Sequence, residues 1–248
     1  MKNFDFCLIL TCTINPTNMP DLVRNDPQIR LNDYKESFKF WAYNPHINKI
    51  VMIENSNSDL SYFINISKDL DSKEIEILSS NSNNTFEKKL GKGYGQYLCF
   101  KEAFETSKII KKTSYFINVT GRYKIKNFNK ILNDICRNKT DIYININDNF
   151  KYANTTIFGG TKKFFTKYIL PETSKTNDSI NKIFENCVAN ATLKAISDGM
   201  TISETPIYAD IEGYIGTNGK KYKQNIFQKI KFFLFRKLKI FLLLHKKY

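Results

Sequence analysis

Histidine is almost missing from this sequence: there are two in 248 residues, His46 and His245, nearly 200 positions apart. A metal centre built on imidazole and a histidine general base are therefore excluded as organising features. The five cysteines (Cys7, Cys12, Cys99, Cys136, Cys187) are odd in number and widely spread, and they contain no C-x-x-C pair. That excludes a zinc ribbon or a disulfide framework and reads as buried, reduced thiols of a cytoplasmic protein. No apolar run approaches the ~20 residues that span a bilayer. Residues 6–12 (FCLILTC) are too short, and Asp5 stands where a signal peptide needs positive charge, so this run is read as a first strand. Internal repeats, low-complexity tracts, a P-loop and a G-x-G-x-x-G fingerprint are all absent as well.

What is present is a core. Apolar residues make up 42 % of the chain and aromatics 14 %, enough for one large folded domain over residues 1–221, with halves at about 1–125 and about 126–221. The net charge of +14 is lopsided. Ten basic residues and no acidic one lie between Lys220 and Tyr248, which leaves +4 for the first 219 residues. The nearly balanced body argues against a nucleic-acid partner and confines the basic surface to the tail.

Periodicity alternates along the chain. Strands are expected at 4–13, 47–53, 74–78, 115–119, 140–146 and 153–158, and a strand-like stretch at 200–208. Helices are expected at 28–43 (Ile29, Tyr34, Phe38 and Trp41 at helical spacing), 59–68, 94–110, 128–137 and 176–198. This alternation predicts an α/β fold with a mostly parallel central sheet flanked by helices.

Polar residues gather where strands end. Thr11, Thr13 and Asn15 follow the first strand, and Arg24 and Arg30 lie in the RNDPQIR segment beyond it. The second strand ends in Glu54-Asn55-Ser56, and the strand at 115–119 runs out into Thr120-Gly121-Arg122. Ligands of open α/β sheets bind outside the carboxyl ends of the strands, so these residues converge on one crevice, and an arginine beside a glycine there points to an anion, most simply phosphate. GKGYG at 91–95 opens the helix at 94–110. Its amides and the Lys92 ammonium suit a pyrophosphate, with Gly93 allowing close approach.

This order of strand, ENS turn, glycine-basic turn, strand and TGR resembles the GT-A nucleotide-sugar glycosyltransferases, in particular small bacterial enzymes of lipooligosaccharide and capsule synthesis, over roughly residues 4–165. The resemblance implies transfer of a sugar from a nucleotide-sugar donor to a lipid-linked or cell-surface saccharide. It matches Glu54 to the acidic residue that meets the nucleoside and Lys92 to the basic residue ahead of the donor-binding strand. It also places Gly159, Gly160 and Thr161, in TIFGGTKKFF, toward the acceptor.

One departure stands out. The family usually carries Asp-x-Asp after the strand at 115–119, where this chain has Thr120-Gly121-Arg122. A divalent metal is thus not expected, and Arg122, Lys92 and Arg24 or Arg30 are expected to stabilise the leaving diphosphate. The base of an inverting transfer would be Glu185, in FENCVAN, or Asp178.

The tail, 222–248, sets Phe227, Ile230, Leu234, Leu238 and Phe241 at helical spacing between basic residues. A helix at the anionic inner face of the cytoplasmic membrane fits that pattern, as does one packed on the domain. Alternative functions are a nucleotidyltransferase with a similar nucleotide-binding half and a nucleic-acid binder using the tail.

Overall fold

A computed structural model describes residues 4–147, 149–204 and 208–222, with Ile230 and Leu234. In chain order the elements are β1 (Cys7–Cys12), α1 (Pro27–Ala42), β2 (Lys49–Glu54), α2 (Ser61–Lys68), β3 (Glu74–Ser79), α3 (Lys92–Thr106), α4 (Lys108–Lys112), β4 (Tyr115–Thr120), β5 (Lys124–Ile125) and α5 (Phe128–Asn138). They continue with β6 (Ile142–Tyr143), β7 (Ile146–Asn147), β8 (Tyr152–Ala153), β9 (Ile157–Thr161), α6 (Leu170–Thr173), α7 (Phe184–Ser197), β10 (Ile202–Ser203) and β11 (Ile211–Glu212).

All six residues of β1 are buried, because the strand lies inside the sheet with helices over both faces, and a continuous apolar run is what such a position demands. It pairs in parallel with β2 on one side and β4 on the other. The seven-stranded sheet has the order β10-β6-β9-β4-β1-β2-β3. β9 runs antiparallel to both of its neighbours, β4 and β6. The fold is thus α/β with a mostly parallel central sheet. The chain moves from β1 to β2 and β3 in one direction and then returns to lay β4 on the other side of β1, which makes the β1/β4 boundary a topological switch point.

Two cores cover the faces. Leu8, Leu10, Ile117 and Val119 meet Phe38 and Trp41 of α1, Phe63 of α2 and Ile131 of α5. Cys7, Ile9 and Phe116 meet Cys99 and Phe100 of α3 and Phe184 and Val188 of α7. The alternation along β1 and β4 assigns successive side chains to opposite faces.

Several boundaries differ from expectation. The helix at 94–110 is two helices, because Ser107 leaves helical geometry (ψ 128°) and accepts the Ile110 N–H as N-cap of α4. The run 140–146 divides into β6 and β7, and 153–158 into β8 and β9. Of 176–198 only α7 is α-helical. Its expected first turns are instead a 3₁₀ turn at Asp178–Ile180 inside an Asn177–Lys182 bridge. A π-helical turn, Phe164–Ile169, precedes α6. The amphipathic tail falls outside the described residues apart from Tyr222, Ile230 and Leu234. Among the described residues no helix is long and apolar enough to cross a membrane.

Candidate active site

The turn after β4 is built from α1. Asp26 caps that helix by accepting the Ile29 N–H at 2.8 Å, with Pro27 as its first residue. One face of α1 then carries Arg30, Tyr34, Ser37, Phe38 and Trp41 inward. Ser37 Oγ and Trp41 Nε1 both donate to the carbonyl oxygen of Tyr123, each at 2.9 Å. The Gly121 N–H reaches Thr11 O at 3.1 Å. These bonds fix the 120–123 turn and set Arg122 at the switch point.

A cavity of about 420 Å³ opens there. Its floor is Thr11, Thr13 and Thr120 at the ends of β1 and β4. Lys92, Gly93, Gln96 and Cys99 of α3 form one wall, continued by Asp178 of the 3₁₀ turn and by Phe184 and Glu185 at the start of α7. Tyr152 and residues 154–156 flank these, and Leu22, Tyr34, Arg122, Tyr123, residues 215–217 and Tyr222 close the other side. Tyr123 and Tyr222 meet edge to face with ring centres 5.2 Å apart.

Arg122 is only 9 % exposed. Its Nη1 donates to Tyr214 O at 2.9 Å, and among the described residues its Nε has no hydrogen-bond partner. No carboxylate lies within ion-pair distance of it among the described residues. Burial works against its charge, but Tyr34, Tyr123 and Asp33 outweigh that and hold its pKa above the ordinary arginine value. Arg30 is 4 % exposed and reaches Thr13 O at 2.8 Å, Arg24 O at 3.0 Å and Tyr34 Oη at 3.1 Å. Burial, with Arg122 adding to it, lowers its pKa. Two buried guanidinium groups thus flank the Tyr34 hydroxyl with no paired carboxylate among the described residues, an arrangement that favours an anion in the cavity.

The opposite wall is acidic. Burial raises the Asp178 pKa, with Lys92 opposing and Glu185 and Asp21 adding to it. Asp178 Oδ1 is buried and unpartnered, as is Gln96 Nε2. The Asp178 carboxylate packs on Gly91, the N-cap of α3 at φ +85°, where an added Cβ would lie 1.8 Å from Oδ2. Glu185 Oε1 accepts from Thr155 Oγ1 at 3.3 Å. The Cys99 thiol faces the cavity, but burial pushes its pKa far up, so it is no nucleophile.

The expected crevice residues are therefore divided. Thr11, Thr13, Lys92, Gly93, Thr120, Arg122, Asp178 and Glu185 line the cavity. Asn15, Arg24, Arg30, Glu54, Asn55, Ser56, Gly121, Gly159, Gly160 and Thr161 are not among the residues lining it.

Each of these ten has other work. Glu54 is fully buried and accepts from the N–H groups of Ile14 and Ser56 at 3.0 Å and of Ser58 at 3.1 Å, and from the Ser56 hydroxyl. Asn55 accepts from Thr13 Oγ1 at 2.7 Å and donates to Gly95 O at 3.2 Å. Ser56 Oγ accepts the Asn15 N–H at 2.9 Å, and Asn15 O accepts from Asn83 Nδ2 at 3.2 Å. Arg24 forms a two-pronged pair with Asp33 at 2.5 and 2.7 Å, Arg30 holds the backbone beneath the floor, and Gly121 is the turn bonded to Thr11. Gly159 and Gly160 lie inside β9 between β4 and β6 rather than in a loop, and Thr161 pairs with Tyr115 at the far end of β4.

Sequence reasoning passed over Tyr34, Gln96, Tyr123, Tyr152 and 154–156. Only Tyr34 carried a local signal, four residues after Arg30 on the same helix face. Asp210 and Glu212 stand at the β5–β11 ribbon rather than on the cavity wall: the Asp210 carbonyl accepts the Lys126 N–H at 2.9 Å, and Glu212 pairs with Lys124 at 3.0 Å and Lys126 at 2.6 Å.

No protein-family model and no curated protein matches this chain. Solved structures of similar fold include a cytidylyltransferase from Leptospira borgpetersenii (11 % identity, 84 % of this chain and 78 % of that one, TM-score 0.46). Others are the inositol-1-phosphate CTP transferase from T. maritima (12 %, 80 % and 84 %, TM-score 0.45) and a putative glucose-1-phosphate thymidylyltransferase from Bacillus anthracis (12 %, 84 % and 89 %, TM-score 0.44). These neighbours are nucleotidyltransferases. The expectation of a glycosyltransferase of surface polysaccharide is corrected accordingly, and its alternative, nucleotidyl transfer, is carried forward.

Proposed function

We propose that this protein is a nucleotidyltransferase that joins a nucleoside monophosphate to a phosphorylated acceptor such as a sugar phosphate and releases pyrophosphate. The observation that carries the reading is the Arg122 guanidinium: nine-tenths buried, unpaired by any carboxylate among the described residues, with Nε unpartnered, at the switch-point cavity. A buried cation of this kind is stabilised by an anionic ligand. Lys92 at the α3 N-terminus adds a second positive group on the opposite wall.

In the proposed step an oxygen of the acceptor phosphate attacks the α-phosphorus of a nucleoside triphosphate. The bond from that phosphorus to the bridging oxygen breaks, and pyrophosphate leaves with the electron pair. A phosphomonoester, whose second pKa is about 6, is already an anion near neutrality, so the attack needs no side-chain base. Among the described residues no histidine lines the cavity. Arg122 and Lys92 would take up charge developing on the leaving pyrophosphate.

Transfer from a triphosphate ordinarily uses a divalent cation held by oxygen ligands. Among the described residues no group of three or more His, Cys, Asp or Glu is placed to hold one. The unpartnered Oδ1 of Asp178 and the Glu185 carboxylate fit an ion held mainly by phosphate oxygens and water, and such an ion would neutralise the triphosphate. The test is calorimetric titration with CTP, UTP, dTTP, ATP and GTP, with and without magnesium, followed by pyrophosphate release with a panel of sugar 1-phosphates. Tight binding of one triphosphate that is lost in Arg122→Gln supports the reading. Absence of binding by all five, or binding indifferent to Arg122, overturns it.

A further inference from the structure

Arg24 does not reach the cavity, yet it touches what closes it. Residues 213–222 fold back on themselves through a Tyr214–Lys221 bridge, with Ile215 N–H on Lys220 O at 2.9 Å and Tyr222 N–H on Gly213 O at 2.9 Å. This segment supplies Ile215, Gly216, Thr217 and Tyr222 to the cavity. It lies directly on Arg122: Tyr214 O accepts from Nη1, and a Cβ at Gly216 would stand 3.0 Å from Nη2.

Two contacts tie the segment to Arg24, and a third ties Arg24 to α1. The guanidinium stacks over the Tyr214 ring at 4.0 Å. The Arg24 N–H donates to Gly216 O at 3.0 Å. Nε and Nη2 grip Asp33 of α1, and the side chains of both residues are mostly buried (17 % and 12 % exposed). The Arg24 carbonyl in turn accepts from Arg30 at 3.0 Å. The segment is thus fastened to α1, the helix that also fixes the 120–123 turn, by a planar fork that satisfies a carboxylate and an aromatic face together.

We infer that Arg24 is a positioning residue for the ligand cavity: anchored on Asp33, it seats the 213–222 segment over the Arg122 guanidinium. This rests on the nucleotidyltransferase reading for the identity of the ligand and on geometry alone for the seating. Lysine in its place keeps the charge but neither the fork nor the flat stacking surface.

The test compares Arg24→Ala, Arg24→Lys and Asp33→Asn with the full-length wild type. Two measurements are made: amide hydrogen exchange, and stopped-flow binding of CTP and of inorganic pyrophosphate. The expected result is exchange faster by about tenfold at Ile215, Gly219 and Tyr222 in all three variants, with β1 and β4 amides unchanged. Ligand dissociation should speed up about tenfold with association little altered, because most affinity changes at a formed site appear in dissociation. Wild-type exchange in 213–222, or faster exchange there with unchanged dissociation of every ligand that binds, overturns the inference. So does restoration of wild-type behaviour by lysine, and so does acceleration spread evenly over the sheet, which would mark a global stability effect. If neither CTP nor pyrophosphate binds the wild type, the functional reading falls, and the exchange measurement alone decides the seating.

Discussion

The Arg122 Nη1–H meets the carbonyl oxygen of Tyr214 at 2.9 Å, joining segments 92 residues apart. One guanidinium therefore serves two ends: Nη1 holds the cavity wall, while Nε, buried and unpartnered, remains for a ligand. Tyr34, Tyr123 and Asp33 keep the group charged despite its burial, and no direct ion pair in the described protein neutralises that charge, so it is left to attract an anion.

Arg122→Gln is expected to weaken nucleotide or pyrophosphate binding by about 1.5–3 kcal/mol, or roughly 10- to 150-fold, the loss typical of one charge-assisted contact. Melting should fall as well, because the bond to Tyr214 O is lost. Calorimetric titration beside a thermal melt checks both. A variant that binds like the wild type removes Arg122 from the site.

Gly91→Ala should destabilise the protein and displace Asp178 together. At φ +85° any side chain is strained, and the new methyl would meet Oδ2 of Asp178 at 1.8 Å. The expected loss is about 1–3 kcal/mol in denaturant unfolding. Truncating the neighbour in Gly91→Ala/Asp178→Ala removes the collision and leaves the backbone strain, so the double variant should be less impaired than the sum of the two single changes. Strict additivity would show that the carboxylate does not rest on the helix terminus.

How far the sequence discloses this site depends on how local each cause is. β1 and β4 are legible as continuous apolar runs, and α1 from the spacing of Tyr34, Phe38 and Trp41, because burial on two faces or one leaves its period in the chain. β6, β7, β8 and β10 are two residues long and exist only through their partners, so 140–146 and 153–158 read as single strands. Arg122, Lys92, Asp178 and Glu185, which line the cavity, are legible as candidates because strand ends and helix starts determine where they point. Glu54 and Arg24 have the same local signature, a charged group just past a strand or before a helix. What turns Glu54 inward is the Ile14 N–H, 40 residues away, and Arg24 is claimed by Asp33 and Tyr214. Those partners come from tertiary structure, and no periodicity encodes them.

Glu54→Gln separates bracing from ligand contact. The carboxylate receives N–H groups from Ile14, Ser56 and Ser58. An amide offers one acceptor oxygen and turns two donors toward them, leaving buried groups unsatisfied at a cost of about 1–3 kcal/mol each. The expected outcome is a clear drop in unfolding free energy with nucleotide affinity within about twofold of wild type at a temperature where the variant is folded. A large affinity loss with unchanged stability would return Glu54 to the ligand.

Asp178→Asn tests the acidic wall through pH. Burial holds the Asp178 carboxyl above its ordinary value of 3.8, Glu185 and Asp21 push in the same direction, and Lys92 opposes. Below pH 3.8 the group is protonated in both folded and unfolded chains and contributes nothing. As pH rises through 3.8 and past the raised folded value, the unfolded chain releases its proton first, so the folded state is penalised. Wild type should therefore lose stability relative to Asp178→Asn across that interval, with the difference complete above the folded value. An anion entering the cavity raises this pKa further, so without divalent cation the wild type should bind pyrophosphate more tightly as pH falls toward the raised folded value, after allowance for the ligand's own titration, and Asp178→Asn should lack this dependence. Magnesium should reverse the contrast near neutrality, because it requires the ionised carboxylate as a ligand and the asparagine variant supplies a weaker one. Parallel pH profiles for the two proteins, with and without magnesium, would show that Asp178 does not face the ligand.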